Sequence, residues 1–191
     1  MWIGISSLED REIKRVNGDS RYPHKSYYDV WWFYSSSIRF NNSFPQNFKK
    51  FFPKMEAFQI NYGNISTLTK SDMASLGSQL KSFDFSFNEL EVLEEGLFDE
   101  NPNLDYISLL RNKIKFVALG VFDSLSELKI LGFSSNYCYS GIAYDNRSKV
   151  LSLIKEIEEN CRDFEKFKNH QRTTTTSITT TTTENWNQFI T

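Results

Sequence analysis

The sequence predicts a short repeat solenoid of the α/β type, in which each repeat forms a strand followed by a turn. Leucine recurs every 24 residues, at Leu80, Leu104 and Leu128. Asparagine recurs in the same frame, at Asn88, Asn112 and Asn136. Phenylalanine is unusually frequent, and 14 of the 17 lie between Phe33 and Phe133, which indicates an aromatic core. Units of this length cannot bury their apolar edges alone, so neighbouring units are expected to stack.

The repeats that begin at Leu80 and Leu104 carry apolar residues at positions 1, 4, 6, 11 and 14, and the repeat that begins at Leu128 keeps this pattern as far as Cys138. In the first full repeat these are Leu80, Phe83, Phe85, Leu90 and Leu93. The L-x-L part is typical of a strand whose alternate side chains enter the core. An upstream repeat that begins at Met55 fits with a period of 25, but Gly63 stands where the asparagine is expected.

The pattern of residues 55–138 resembles the extracellular leucine-rich repeat, L-x-x-L-x-L-x-x-N-x-L. The resemblance implies a short curved array, with parallel strands on its concave face and irregular turns on its convex face. It also implies that Asn88, Asn112 and Asn136 face inward as a structural ladder and bond backbone groups of the turns. The predicted strand centres are Glu56–Gln59, Ser82–Asp84, Tyr106–Ser108 and Ile130–Gly132.

A helical cap is predicted after the last repeat. Val150, Leu153, Ile154 and Ile157 share one face of a helix expected from about Lys149 to Asn160. Cys161 ends this pattern and Cys138 begins the preceding loop, which favours a disulfide between them over two free thiols. The layout also resembles a reduced form of the cysteine-bearing C-terminal flank of leucine-rich repeat proteins.

Four segments follow from these patterns. We expect an N-terminal flanking cap at 1–29, repeats at 30–137, a C-terminal cap at 138–165 and a disordered Thr-rich tail at 166–191. The F-F-P-x-x-E-A-F entry at 51–58 is similar to small secreted leucine-rich repeat proteins of insects. Those relatives open with a signal peptide, so an incomplete recorded start is favoured here over a cytosolic chain.

Composition and motifs argue against several classes of function. The 22 Lys and Arg nearly balance the 24 Asp and Glu, which disfavours a nucleic-acid partner. No apolar run approaches the roughly 18 residues of a transmembrane segment. His24 and His170 lie near no nucleophile motif, and with two cysteines they do not make a zinc site of known spacing. We expect no enzyme activity, no cofactor and no metal.

The remaining candidate is a protein-binding surface on the concave face that the resemblance implies. The variable residues beside the strand leucines should lie there, among them five candidate anchors: Tyr62, Phe87, Tyr106, Leu110 and Arg111. For Phe87, packing on its neighbours is an equal alternative. The sequence therefore predicts a non-catalytic extracellular protein-binding module, in immune recognition or matrix interaction, with an unknown protein ligand. The alternatives are a structural or mucin-like secreted protein and an intracellular repeat scaffold.

Three N-x-S sequons predict glycosylation if the chain is secreted, at Asn41, Asn64 and Asn146. Asn64 is the doubtful one, because its side chain could serve the turn instead. Residues 173–183 are nine Thr among eleven, which fits an O-glycosylated stalk or a simple spacer equally well.

Overall fold

The repeats stack through one mainly parallel sheet. A computed structural model describes residues 4–9, 12–17, 30–36, 40 and 44–162. In chain order its elements are β1 (Gly4–Glu9), β2 (Glu12–Asn17), β3 (Trp32–Ser36), α1 (Phe48–Phe51), β4 (Ala57–Asn61), α2 (Lys70–Ala74), β5 (Ser82–Asp84), β6 (Val92–Leu93), β7 (Tyr106–Ser108), β8 (Phe116–Val117), β9 (Ile130–Gly132), β10 (Ile142–Ala143) and α3 (Arg147–Cys161).

The main sheet has the strand order β10-β9-β7-β5-β4-β3, and β3 to β9 run parallel. This arrangement confirms the predicted solenoid. Strands β5, β7 and β9 coincide with the predicted segments, whereas β4 begins one residue later than predicted and runs on to Asn61. The turns on the other side are less irregular than predicted, because β6 and β8 pair in parallel there and two short helices precede β4 and β5.

Strand register aligns one apolar side chain per repeat into a ladder that forms the core. Its members are all buried: Phe33, Phe58, Phe83, Ile107 and Leu131. The Phe33 and Phe58 ring centroids lie 5.4 Å apart and those of Phe58 and Phe83 5.9 Å apart, both pairs stacked. The aromatic residues that the composition singled out therefore build the N-terminal half of the core.

An asparagine in each of the turns after β5, β7 and β9 joins its repeat to the preceding one. Asn112 accepts the Leu90 N–H at 3.0 Å and donates to the Phe85 carbonyl at 2.9 Å, both in the preceding repeat. Asn88 and Asn136 make the equivalent bonds. Asn88 and Asn112 are buried, but Asn136 is only half-buried, since no further repeat covers the last turn.

The convex side of the solenoid has buried contacts of its own. The rings of Phe98 and Phe122, at equivalent positions of two repeats, stack at 5.9 Å. Asn101 is fully buried and donates to the carbonyls of Met73 and Gly77, the residues near the end of α2. No repeated pattern marks Asn101 in the sequence, because the equivalent position of the next repeat is Leu125.

Strand β10 and helix α3 form a cap over the last repeat. Strand β10 pairs antiparallel with β9, and the buried face of α3 covers the end of the core. Helix α3 begins at Arg147, two residues earlier than predicted, because Asn146 Oδ1 accepts the Lys149 N–H as an N-cap. A Cys138–Cys161 disulfide ties the end of α3 to the last turn, with Cα atoms 5.1 Å apart.

The described part of the N-terminal segment is an antiparallel β1–β2 pair. In its register Gly4 pairs with Asn17 and Glu9 pairs with Glu12. Asn41 and the Thr-rich tail lie outside the described residues. The four predicted segment boundaries remain a proposal.

Candidate protein-binding face

The side of the main sheet that faces away from the core forms an open face made of two rows of residues. Because side chains alternate along a strand, the neighbours of the buried ladder point the other way. The first row is Trp32, Ala57, Ser82, Tyr106 and Ile130, and the second is Tyr34, Gln59, Asp84, Ser108 and Gly132. This open face is the one that the sequence predicts to be concave.

Exposed aromatic side chains lie at the β3 end of the open face. Trp32 is 49% exposed and Tyr34 is 42% exposed, and their ring centroids lie 6.0 Å apart. Trp31, which precedes β3, is 62% exposed and lies 6.2 Å from Trp32. These three residues are not among the five anchors that the sequence predicts.

A hydrogen-bonded polar network occupies the middle of the open face. Gln59 Nε2 donates to Asp84 Oδ2 at 3.1 Å, and the Ser86 hydroxyl donates to Asp84 Oδ1 at 2.6 Å. The Ser86 N–H also donates to Oδ1, at 3.0 Å, and the hydroxyls of Ser86 and Ser108 are 2.8 Å apart. These bonds hold the Asp84 carboxylate in one orientation before any ligand arrives.

Two of the five predicted anchors, Tyr106 and Leu110, lie on the β7 side of this network. Tyr106 is half-buried, and burial together with the nearby Asp84 charge raises the pKa of its phenol. Leu110 lies over Gly132: a Cβ there would stand 3.2 Å from Leu110 Cδ2. The missing side chain of Gly132 thus makes room for Leu110.

The other three predicted anchors form a separate row, which we call the rim row: Tyr62, Phe87 and Arg111. They follow the carboxyl ends of β4, β5 and β7, and their φ angles are 59°, 58° and 51°. The Tyr62 and Phe87 rings stack at 4.5 Å, and the Arg111 guanidinium lies 5.4 Å from the Phe87 centroid. The five predicted anchors therefore fall into two groups: Tyr106 on β7 with Leu110 in the turn after it, beside the Asp84 network, and the rim row at the carboxyl ends of the strands.

Two predicted glycosylation sites can be placed. Asn64 is exposed in the turn after β4, two residues from Tyr62, with a left-handed φ of 55°. Asn146 is exposed at the start of α3, where its Oδ1 caps the helix. Neither placement tests whether a glycan is attached.

Within the described ranges, no three His, Cys, Asp or Glu side chains are grouped so as to hold a metal ion. None of the helices there combines the length and apolarity needed to cross a bilayer.

The described repeats have the fold of a leucine-rich repeat solenoid. Residues 78–137, which contain β5 to β9, match the family model described as Leucine rich repeat. Over 98 residues the chain is 33% identical to Tsukushi from Gallus gallus, and this alignment covers 51% of the chain. It covers 26% of Tsukushi, so the chain spans about a quarter of the length of the curated relative that it matches.

Proposed function

We propose that this chain is a non-catalytic, extracellular protein-binding module whose ligand contacts the open face. The observation that carries the proposal is the combination on one surface of exposed Trp32 and Tyr34 with an oriented polar network around Asp84. Aromatic residues are enriched in protein interfaces and frequent among their energetic anchors. Tyr106 and Leu110 extend the same surface toward β9.

The Cys138–Cys161 disulfide supports an extracellular compartment, because such bonds persist in oxidising environments and are rare in the cytosol. It also argues against the intracellular scaffold as an alternative. Immune recognition and matrix interaction are the two settings that we propose for such a module.

A mucin-like secreted component is the second candidate. The Thr tract at 173–183 favours it, since a run of this composition has little apolar surface to bury and many hydroxyls for sugar attachment. Deletion of the tract separates the two candidates. Binding through the open face should survive the deletion, whereas a stalk function should not.

The test of the main proposal is a screen of the full, oxidised chain against an array of recombinant extracellular protein domains. Each hit is then measured with Trp32→Ala and with Tyr106→Ala. We expect affinity losses of about 2 kcal/mol, or roughly 30-fold, for a true anchor. Glu95→Ala, on the exposed turn after β6, is the control and should change nothing. Hits that bind all variants equally would place the contact elsewhere on the molecule.

A further inference from the structure

The open face carries a single ionisable carboxylate in its two rows, that of Asp84. Strand β5 is the central one of the five parallel strands, so this charge lies in the middle of the face. The network around it consists of neutral groups, from Gln59 and Ser86. Among the described residues, none of the ion pairs includes Asp84.

The hydrogen bonds of Asp84 leave room for a further donor. A carboxylate has about four acceptor positions, and the described contacts use three of them, two at Oδ1 and one at Oδ2. A partner that covers this face removes water from the charge, which is unfavourable unless a cation or a strong donor replaces it. Charge complementarity therefore favours a Lys or Arg side chain opposite Asp84.

The neighbouring aromatic residues set a distance for the rest of the partner. Strand β3, with Trp32 and Tyr34, lies two strands from β5, or about 10 Å at about 4.8 Å per strand. A segment in the polyproline II conformation advances about 3.1 Å per residue and has three residues per turn, so every third side chain points to the same side. A residue three positions away from the basic one would then reach the exposed aromatic pair.

We propose that the open face recognises a protein segment in the polyproline II conformation that places a Lys or Arg against Asp84 and an apolar side chain, three residues away, against Trp32 and Tyr34. This inference rests on the proposed function and specifies the chemistry of its ligand. The apolar residue can lie on the N-terminal or the C-terminal side of the basic residue, because a segment that crosses the strands in either direction can place it over β3.

The experiment selects a displayed library of random 12-residue peptides on the full, oxidised chain. We expect enrichment of Lys or Arg with Leu, Ile, Phe or Met three positions away. The selected peptides should lose binding about tenfold or more on Asp84→Asn and on Trp32→Ala. Glu95→Gln, which removes one exposed carboxylate from the turn after β6, is the charge-matched control and should bind normally.

A change on the peptide side gives the same test without altering the protein fold. Replacing the basic residue of a selected peptide by Gln should weaken its binding to the unmodified chain by the same factor. The inference is overturned if the selected peptides need Trp32 but have no basic residue, or if they need Trp32 and bind Asp84→Asn normally. Either result leaves the proposed function intact. Peptides that ignore both Trp32→Ala and Asp84→Asn count against both proposals, and a selection with no enriched sequence counts against the inference.

Discussion

Asn88 bonds the backbone of Gly63 across a repeat boundary, with the Gly63 N–H donating to Asn88 Oδ1 at 3.0 Å. Gly63 stands where the later repeats have asparagine. A Cβ at this position would lie 3.0 Å from that oxygen and 2.9 Å from Ile60 Cγ2. The departure from the repeat pattern is therefore a packing requirement, because the neighbouring amide needs the space.

Gly63→Ala is expected to destabilise the fold. The added methyl group would force Asn88 or Ile60 to move in a buried turn, and overpacking of this kind costs about 1–3 kcal/mol. The measurement is the free energy of unfolding from urea denaturation. A loss below about half a kcal/mol would show that the turn relaxes around the methyl group.

Asn112→Ala should destabilise by about 1–3 kcal/mol, because it leaves the Leu90 N–H and the Phe85 carbonyl without their buried partner. Urea denaturation again measures the change. Asn103→Ala is a suitable control, since Asn103 is exposed and makes its bond to the Ser78 carbonyl at the surface. Equal small losses for both variants would contradict a structural role for the buried amide.

Removal of the disulfide should lower stability by about 3 kcal/mol on the chain-entropy estimate, because the bond closes a loop with a sequence separation of 23. The comparison is between the oxidised chain and the Cys138→Ala, Cys161→Ala double variant in urea. The reduced chain should behave like the double variant. Two thiols that react with an alkylating agent in the native oxidised protein would disprove the bond.

Alkaline pH should weaken the fold through Tyr106. Burial and the nearby Asp84 charge raise the pKa of its phenol, so the folded state favours the neutral form. This contribution is fully present below the unfolded pKa of about 10 and is lost as the pH rises through the folded pKa. Tyr106→Phe should therefore show a shallower fall in unfolding free energy above about pH 10 than the unmodified chain. An equally steep fall would contradict a raised pKa of the Tyr106 phenol. The phenolate absorbance of the two proteins provides an independent measurement.

The sequence was sufficient to predict the solenoid because its period and its asparagines repeat. Leu80, Leu104 and Leu128 fix the frame, and the strands β5, β7 and β9 follow from it directly. The irregular parts were not predictable in this way. Strand β10 exists only because the edge of β9 is available for pairing, and no alternating pattern marks its two residues.

The candidate site was predicted only in part. The rim row came from equivalent positions in successive repeats, and its members do contact each other. Trp32 was missed because the first repeat is degenerate and its surroundings are rich in aromatic residues that belong to the core. Only the pairing of Phe33 with Phe58 shows that Trp32 lies on the opposite side of the sheet.

The rim row has both a structural and a binding interpretation. Its residues are non-glycine and left-handed, a conformation that costs about 1 kcal/mol or more per residue. Their N–H groups bond the next repeat, as Phe87 does to the Leu110 carbonyl at 2.8 Å. Phe87 is half-buried between its neighbours, whereas Tyr62 and Arg111 are exposed. If the row is purely structural, the half-buried Phe87 ring is its important member. If the row binds a partner, the exposed Tyr62 and Arg111 should make the contacts.

Tyr62→Ala and Arg111→Ala should therefore weaken a partner that docks on the rim row by about 2 kcal/mol each, while leaving the fold intact. Arg111 lies over the Phe87 ring, which holds its stem and leaves its donors available for a ligand. The measurement is the affinity for a partner found in the domain screen, alongside thermal unfolding. Lys113→Ala is the matched control, because Lys113 is a cation two residues away whose ion pair is with Glu89. If both rim variants fold normally and bind as the control does, the row serves only to close the edge of the solenoid.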